Sequence, residues 1–148
     1  VFLCTCDPSA DCPRCKAFRT AMEGAGVEAR LTGLGGMSAV DASLYTACED
    51  WLKTAEKPRA VIAGSQQVAV AVVMAAATLG VSVPSDLAVT GCADAPAAVA
   101  GLGLTHLHMP VEELGSRAVR MLLEKIRAPN IPLDPVVLTP ELVKGHSA

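Results

Sequence analysis

Residues 59–96 read RAVIAGSQQVAVAVVMAAATLGVSVPSDLAVTGCADAP. Arg59–Ala63 carries no polar alternation, the pattern of a parallel strand covered on both faces. Gln66–Leu79 follows as a helix that is apolar nearly all round, which predicts burial on more than one side. Gly80 and Pro84 end it, Leu87–Thr90 is the next strand, and Gly91 opens a loop. Strand, helix and strand joined by so long a crossover make a parallel unit, not a hairpin.

The same alternation extends outward in both directions. Val1–Cys6 is a short strand and Asp7–Asp11 a loop. Pro13–Ala25 is a helix, with Asp11 or Cys12 near the cap, Pro13 in the first turn and Gly26 at its end. Glu28–Thr32 is a second strand, followed by a glycine-rich turn at Gly33–Gly36. Ser38 is positioned to cap a helix over Ala39–Ala55, where Val40, Leu44, Ala47, Cys48 and Trp51 form an apolar stripe. Downstream, Leu104–His108 is a fifth strand. Val111–Arg127 is an amphipathic helix with Leu114, Ala118, Met121 and Leu122 on its inner face. Val136–Leu138 and Leu142–Lys144 are short late strands. The fold class is therefore α/β with a doubly wound parallel sheet. Such sheets bind ligands off the carboxyl ends of their strands, here Cys6–Pro13, Gly33–Met37, Gly64–Gln67 and Gly91–Ala95.

Composition narrows the function classes. Half of the 148 residues are hydrophobic, so a real core is available, and aromatics are scarce enough that Ala, Val, Leu and Met must build it. The net charge is −3 with scattered basic residues, which argues against a nucleic-acid surface on this chain. The apolar run Val68–Leu79 is too short to span a bilayer, and no signal peptide is visible. A start at Val within a strand-like run reads as a piece of something longer.

The register of these motifs resembles the effector-binding domain of LacI/GalR transcriptional regulators. That family runs strand, Asn-Asp, helix, Gly-hydrophobic-x-Val-Pro, Asp-hydrophobic, strand, Gly-aromatic-Asp-Asp, and residues 59–96 follow the same order. LGLTHLHMPVEELGSRAVRMLLEKI (102–126) is similar to the family's Leu-Thr-Thr strand and the helix after it. TPELVKGHSA (139–148) is similar to its Pro-Glu-Leu-Val-x-Arg-x-Ser ending. DCPRCKAFRTAM (11–22) falls where the family has Arg-x-x-Gly-Phe-x-x-Ala.

The resemblance implies a type I periplasmic-binding-protein-like domain, mainly its C-terminal lobe. Residues 1–101 and 135–148 would form that lobe, 102–134 would be an excursion belonging to the N-terminal lobe, and a DNA-binding domain would lie upstream. It implies a small-molecule effector (a sugar, a nucleobase or a related compound), a homodimer or higher oligomer, DNA contact only through the upstream domain, a cytoplasmic setting, no membrane and no cofactor. Asp11 and Arg14 would contact the effector from the opening loop, Arg14 through paired hydrogen bonds. Leu34 would stand at the apolar wall. Ser65 and Gln66 replace Asn-Asp, Cys92 replaces the aromatic, Ala93 replaces the first Asp, and Asp94 keeps the second. Losing a principal carboxylate points away from a common hexose and toward a less polar or anionic ligand.

The cysteines admit other readings. Cys4, Cys6, Cys12 and Cys15 have a zinc-like spacing, yet Cys4 and Cys6 sit on a strand entering the core, so no metal is expected. CPRC at a helix start is similar to a thiol–disulfide oxidoreductase motif, and a helix N-terminus lowers a thiol pKa. Such enzymes follow a different order of segments, so Cys12 and Cys15 read as packing thiols, with a redox-sensing pair as the alternative and at most one disulfide between them. Cys48 and Cys92 lie in apolar contexts as buried thiols. His106 and His108 share a strand face without a third ligand. Gly33–Gly36 lacks the lysine of a phosphate loop. No Ser-His-Asp or paired-carboxylate arrangement supports an enzyme. A periplasmic solute-binding protein and a structural module with an inactive pocket are the remaining alternatives.

Overall fold

The computed structural model describes residues 1–5, 12–34, 42–54, 58–94 and 99–148. Its elements are β1 (Phe2–Cys4), α1 (Pro13–Gly24), β2 (Leu31–Gly33), α2 (Ala42–Thr54), β3 (Ala60–Ala63), α3 (Gln66–Thr78), β4 (Ala88–Ala93), β5 (Thr105–His108), α4 (Val111–Arg127) and β6 (Glu141–Val143). The strands form one sheet in the order β2-β1-β3-β4-β5-β6. The first five are parallel, and β6 runs antiparallel along β5. The doubly wound prediction therefore holds, with one antiparallel edge added.

Alternation along β1 divides the interior. Leu3 points into the larger core with Leu44, Cys48, Val61, Val68, Val72, Ala75 and Val89, beneath α2 and α3. Phe2 and Cys4 point to the opposite face and pack with Cys15 and Phe18 of α1. The Phe2 and Phe18 rings stack at 5.3 Å between centroids, which ties strand to helix.

Helix α3 is apolar all round because it packs on both α2 and the sheet. Most of its apolar surface is thus covered within the chain, while Met74 remains 53% exposed. Both α1 and α3 stop at a left-handed glycine, Gly26 (φ 67°) and Gly80 (φ 68°). Beyond each glycine the next N–H closes the turn, Val27 onto the Met22 carbonyl and Val81 onto the Ala76 carbonyl.

Several sequence expectations require correction. β4 continues through Gly91 to Ala93 instead of ending at Thr90. Gly91 is a packing glycine: a Cβ there would lie 3.0 Å from the Ala69 Cβ on α3. β2 is shifted to Leu31–Gly33. Val136–Leu138 is not a strand. Helix α4 has its predicted bounds, but none of its residues is buried, and Leu114, Leu122 and Ile126 are 58%, 60% and 66% exposed. Its amphipathic pattern was read correctly, but the surface that its apolar face would need is not supplied by the described residues. The predicted cap Ser38 and the glycine turn beyond Leu34 lie outside the described residues.

The C-terminus is stitched into the sheet. Ser147 is 2% exposed. Its carbonyl accepts from the Val89 N–H at 2.7 Å. Its hydroxyl donates to the Val89 carbonyl at 2.6 Å and accepts from the Thr105 N–H at 2.9 Å. No helix among the described residues is long and apolar enough to cross a membrane.

Candidate functional site

The strand order 2-1-3-4-5 reverses direction between β1 and β3. The chain leaves β1 toward α1 on one face and leaves β3 toward α3 on the other, which opens a crevice at the carboxyl edge. Arg14, in the first turn of α1, reaches across this switch point, and its Nη1 donates to the Gly64 carbonyl at 2.5 Å. Gly64 follows β3 directly and is fitted closely. A Cβ there would meet the Cys4 Cβ at 3.1 Å, the Leu3 carbonyl oxygen at 3.3 Å and the Phe2 ring at 3.3 Å. Only glycine lets the β3 end approach β1 this nearly, and its carbonyl is thereby presented to Arg14.

Ser65 caps α3: its hydroxyl accepts from the Val68 N–H at 3.3 Å. Gln66 spans to the next loop, its Oε1 accepting from the Asp94 N–H at 3.2 Å. Asp94, at the exposed end of β4, is therefore fixed through its backbone while its carboxylate remains at the surface. Cys92 lies among these groups. Burial pushes its thiol pKa up, the Arg14 guanidinium acts against that shift, and Asp94 adds to it. The Arg14 bond to Gly64 and the Gln66 bond to Asp94 bring the three loops to one edge of the sheet.

The predicted residues divide as follows. Arg14, Ser65, Gln66 and Asp94 come together at the carboxyl edge. Leu34 is 6% exposed and belongs to the main core, so its side chain packs inward. Asp11 lies outside the described residues, as does Cys6. Cys12 is half-buried at the N-cap of α1, and Cys15 is fully buried one turn along, both reduced. The partner that the structure brings to Cys15 is Cys4, with the two Sγ atoms 3.8 Å apart. The sequence pairing of Cys12 with Cys15 did not anticipate this contact, because Cys15 faces β1 across the sheet–helix interface. Among the described residues no group of three or more His, Cys, Asp or Glu is arranged to hold a metal.

The sequence places Gly64 in a crevice loop without giving its carbonyl a role, and sets Cys4 among four spaced cysteines without facing it to Cys15. The signal for Gly64 was present, a glycine placed immediately after a buried strand at a switch-point loop.

The family model described as "periplasmic binding protein-like domain" matches residues 1–148. The HTH-type transcriptional repressor PurR of Edwardsiella ictaluri is 33% identical over 104 residues, 70% of this chain and 30% of that protein. The chain thus spans about a third of the length of the curated relatives it matches. Among solved structures, a LacI family transcriptional regulator from Lactobacillus casei with bound sucrose superposes with a TM-score of 0.81 at 25% identity, covering 100% of this chain and 56% of that one. The complex of the transcriptional regulator CelR with cellobiose gives a TM-score of 0.81 at 25% identity, covering 99% of this chain and 46% of that one. These likenesses do not favour the oxidoreductase or the solute-binding alternative.

Proposed function

The chain belongs to the periplasmic binding protein-like family, as the effector-binding domain type of LacI-family regulators, and from that premise we propose that it binds a small polar effector at the β1/β3 crevice and passes occupancy on to a DNA-binding segment. The observation that carries this reading is the convergence of Arg14, Gln66 and Asp94 at the carboxyl edge of the parallel sheet. The effector class is a sugar, a nucleobase or a related compound. Sucrose in one structural neighbour and cellobiose in another support the sugar class.

In this reading Arg14 is the principal donor. It is exposed and its bond among the described residues is to a carbonyl, so an incoming hydroxyl or carboxylate can take over its paired N–H groups at little cost. Asp94 and Asp11 would accept from ligand hydroxyls. Ser65 and Gln66 act mainly by holding the loops, since each already serves a backbone N–H. Leu34, packed into the main core, supplies no apolar wall to the crevice.

The remaining parts of the proposal concern the whole regulator. Residues 1–101 and 135–148 form the C-terminal lobe, and 102–134 is an excursion that joins the N-terminal lobe. β5 departs from that division: it pairs parallel with β4 in the present sheet, so the excursion starts beyond His108, and α4 stands off the sheet. The exposed face of α4 supports a homodimer or higher oligomer. DNA contact belongs to an HTH segment beyond this chain, consistent with a net charge of −3 here. We place the protein in the cytoplasm, as a binding module with no catalytic role and no cofactor.

Titration calorimetry against mono- and disaccharides, including sucrose and cellobiose, and against nucleobases tests the reading. At least one ligand should bind, and Arg14→Ala should weaken it about tenfold or more, the loss of a charged hydrogen bond of about 1.5–3 kcal/mol. Full affinity in the Arg14→Ala variant, or no binding across the panel, would remove the proposal.

A further inference from the structure

The sulfur pair under the crevice is connected to the arginine above it. Cys15 follows Arg14 in the first turn of α1. Arg14 holds the Gly64 carbonyl, Gly64 packs against Cys4, and the Cys4 sulfur faces the Cys15 sulfur at 3.8 Å. These contacts close a ring of four residues joining helix, strand and site loop. Cys4 and Cys15 are 4% and 0% exposed, whereas Cys12 packs on the same cluster and is half-buried.

We propose that Cys4 and Cys15 form a reversible disulfide by exchange with a low-molecular-weight disulfide, that Cys12 is the entering thiol, and that the bond holds Arg14 on Gly64. Cys12 alone of the three is reachable from solvent, at a helix N-terminus that favours its thiolate. The Cys12 thiolate attacks one sulfur of the small disulfide, forming a mixed disulfide and releasing one small thiol, which carries the Cys12 proton. Cys15, at the third helical position above the same cluster, attacks the Cys12 sulfur. The second small thiol leaves with the Cys15 proton. Cys4 then attacks the Cys15 sulfur, and Cys12 departs as a thiol with the Cys4 proton. In net, two protein thiols give up two electrons and two protons, and one small disulfide becomes two small thiols.

The final exchange is favoured by position. The Cys4–Cys15 bond lies inside the sheet–helix interface, away from solvent reductants, while a Cys12–Cys15 bond would include the half-buried Cys12 sulfur. Bonding requires the sulfurs to move from 3.8 Å to about 2.05 Å. That closure draws the first turn of α1 toward β1, and Arg14 with it. The Arg14–Gly64 hydrogen bond is then shut and the guanidinium is withheld from the crevice.

The full chain is incubated with oxidised glutathione, digested without reduction and mapped by mass spectrometry. The expected product is a Cys4–Cys15 peptide pair, reversed by dithiothreitol. Cys12→Ser should reach the same product about tenfold more slowly, as an exchange step loses its accessible thiol. A dominant Cys12–Cys15 bond, a bond to any other cysteine, a persisting glutathione adduct on Cys12, or an unchanged rate in Cys12→Ser would overturn the assignment. Exchange of the Arg14 guanidinium protons, followed by NMR, should slow about tenfold on oxidation as local opening is suppressed. An unchanged rate would overturn the link to Arg14. Neither measurement uses an effector, so their failure leaves the binding proposal standing.

Discussion

Replacing Ser147 by alanine tests whether the C-terminal residues are part of the sheet's hydrogen-bonding system. The Ser147 hydroxyl satisfies two main-chain groups at once, the Val89 carbonyl at 2.6 Å and the Thr105 N–H at 2.9 Å. Both sit in the interior, with Val89 at 0% and Thr105 at 8% exposure. Alanine removes both bonds and supplies no replacement. A buried polar group left without its partner costs about 1–3 kcal/mol, so two together cost about 2–6 kcal/mol. For a chain of this size a loss of about 3 kcal/mol lowers Tm by roughly 6–12 °C. In urea the midpoint should fall by about 1 M or more with an unchanged slope. Ser85→Ala, at an exposed turn, is the control and should stay within about 0.5 kcal/mol. A Ser147→Ala midpoint indistinguishable from that control would refute the argument that this hydroxyl bridges β4 and β5.

Two further outcomes follow from the core. Burial pushes the Cys48 thiol up to about 11 from an ordinary value of 9.0, and the residue is 0% exposed. The unfolded thiol ionises first, so stability is full below pH 9 and falls as pH rises toward 11, by about 2–3 kcal/mol in all; Cys48→Ala should flatten this alkaline decline in urea titrations at stepped pH. Gly91→Val should destabilise by about 1–3 kcal/mol by crowding Ala69, whose Cβ would lie 3.0 Å from the first added carbon. Combination with Ala69→Gly should recover part of the loss in a double-mutant cycle, and strict additivity would count against direct contact.

Local chemistry made much of the fold legible. Pro13 starts a helix, and Gly26 and Gly80 end two, because each residue type acts within a few positions of its own backbone. The unbroken apolar run of β3 and the all-round apolar α3 announced a parallel layered fold, and the loops at strand carboxyl ends followed from that architecture. The family resemblance singles out Arg14, Ser65, Gln66 and Asp94 among the residues of those loops.

What depended on packing was not legible. Gly91 has the composition of a loop opener, and only the approach of α3 makes it an interior strand position. The stripe on α4 states that the helix is amphipathic, but a stripe does not name its partner, and here no side chain of the helix is buried. Leu34 has the same side chain at a wall or in a core, and the path of the chain after β2 put it in the core. Spacing suggested Cys12 and Cys15 because they are near in sequence. The Cys4 sulfur, eleven residues away, also meets Cys15, brought there by the stacking of α1 on β1. Sequence periodicity determines which face of an element is apolar, whereas the element that meets that face is chosen by the whole chain at once.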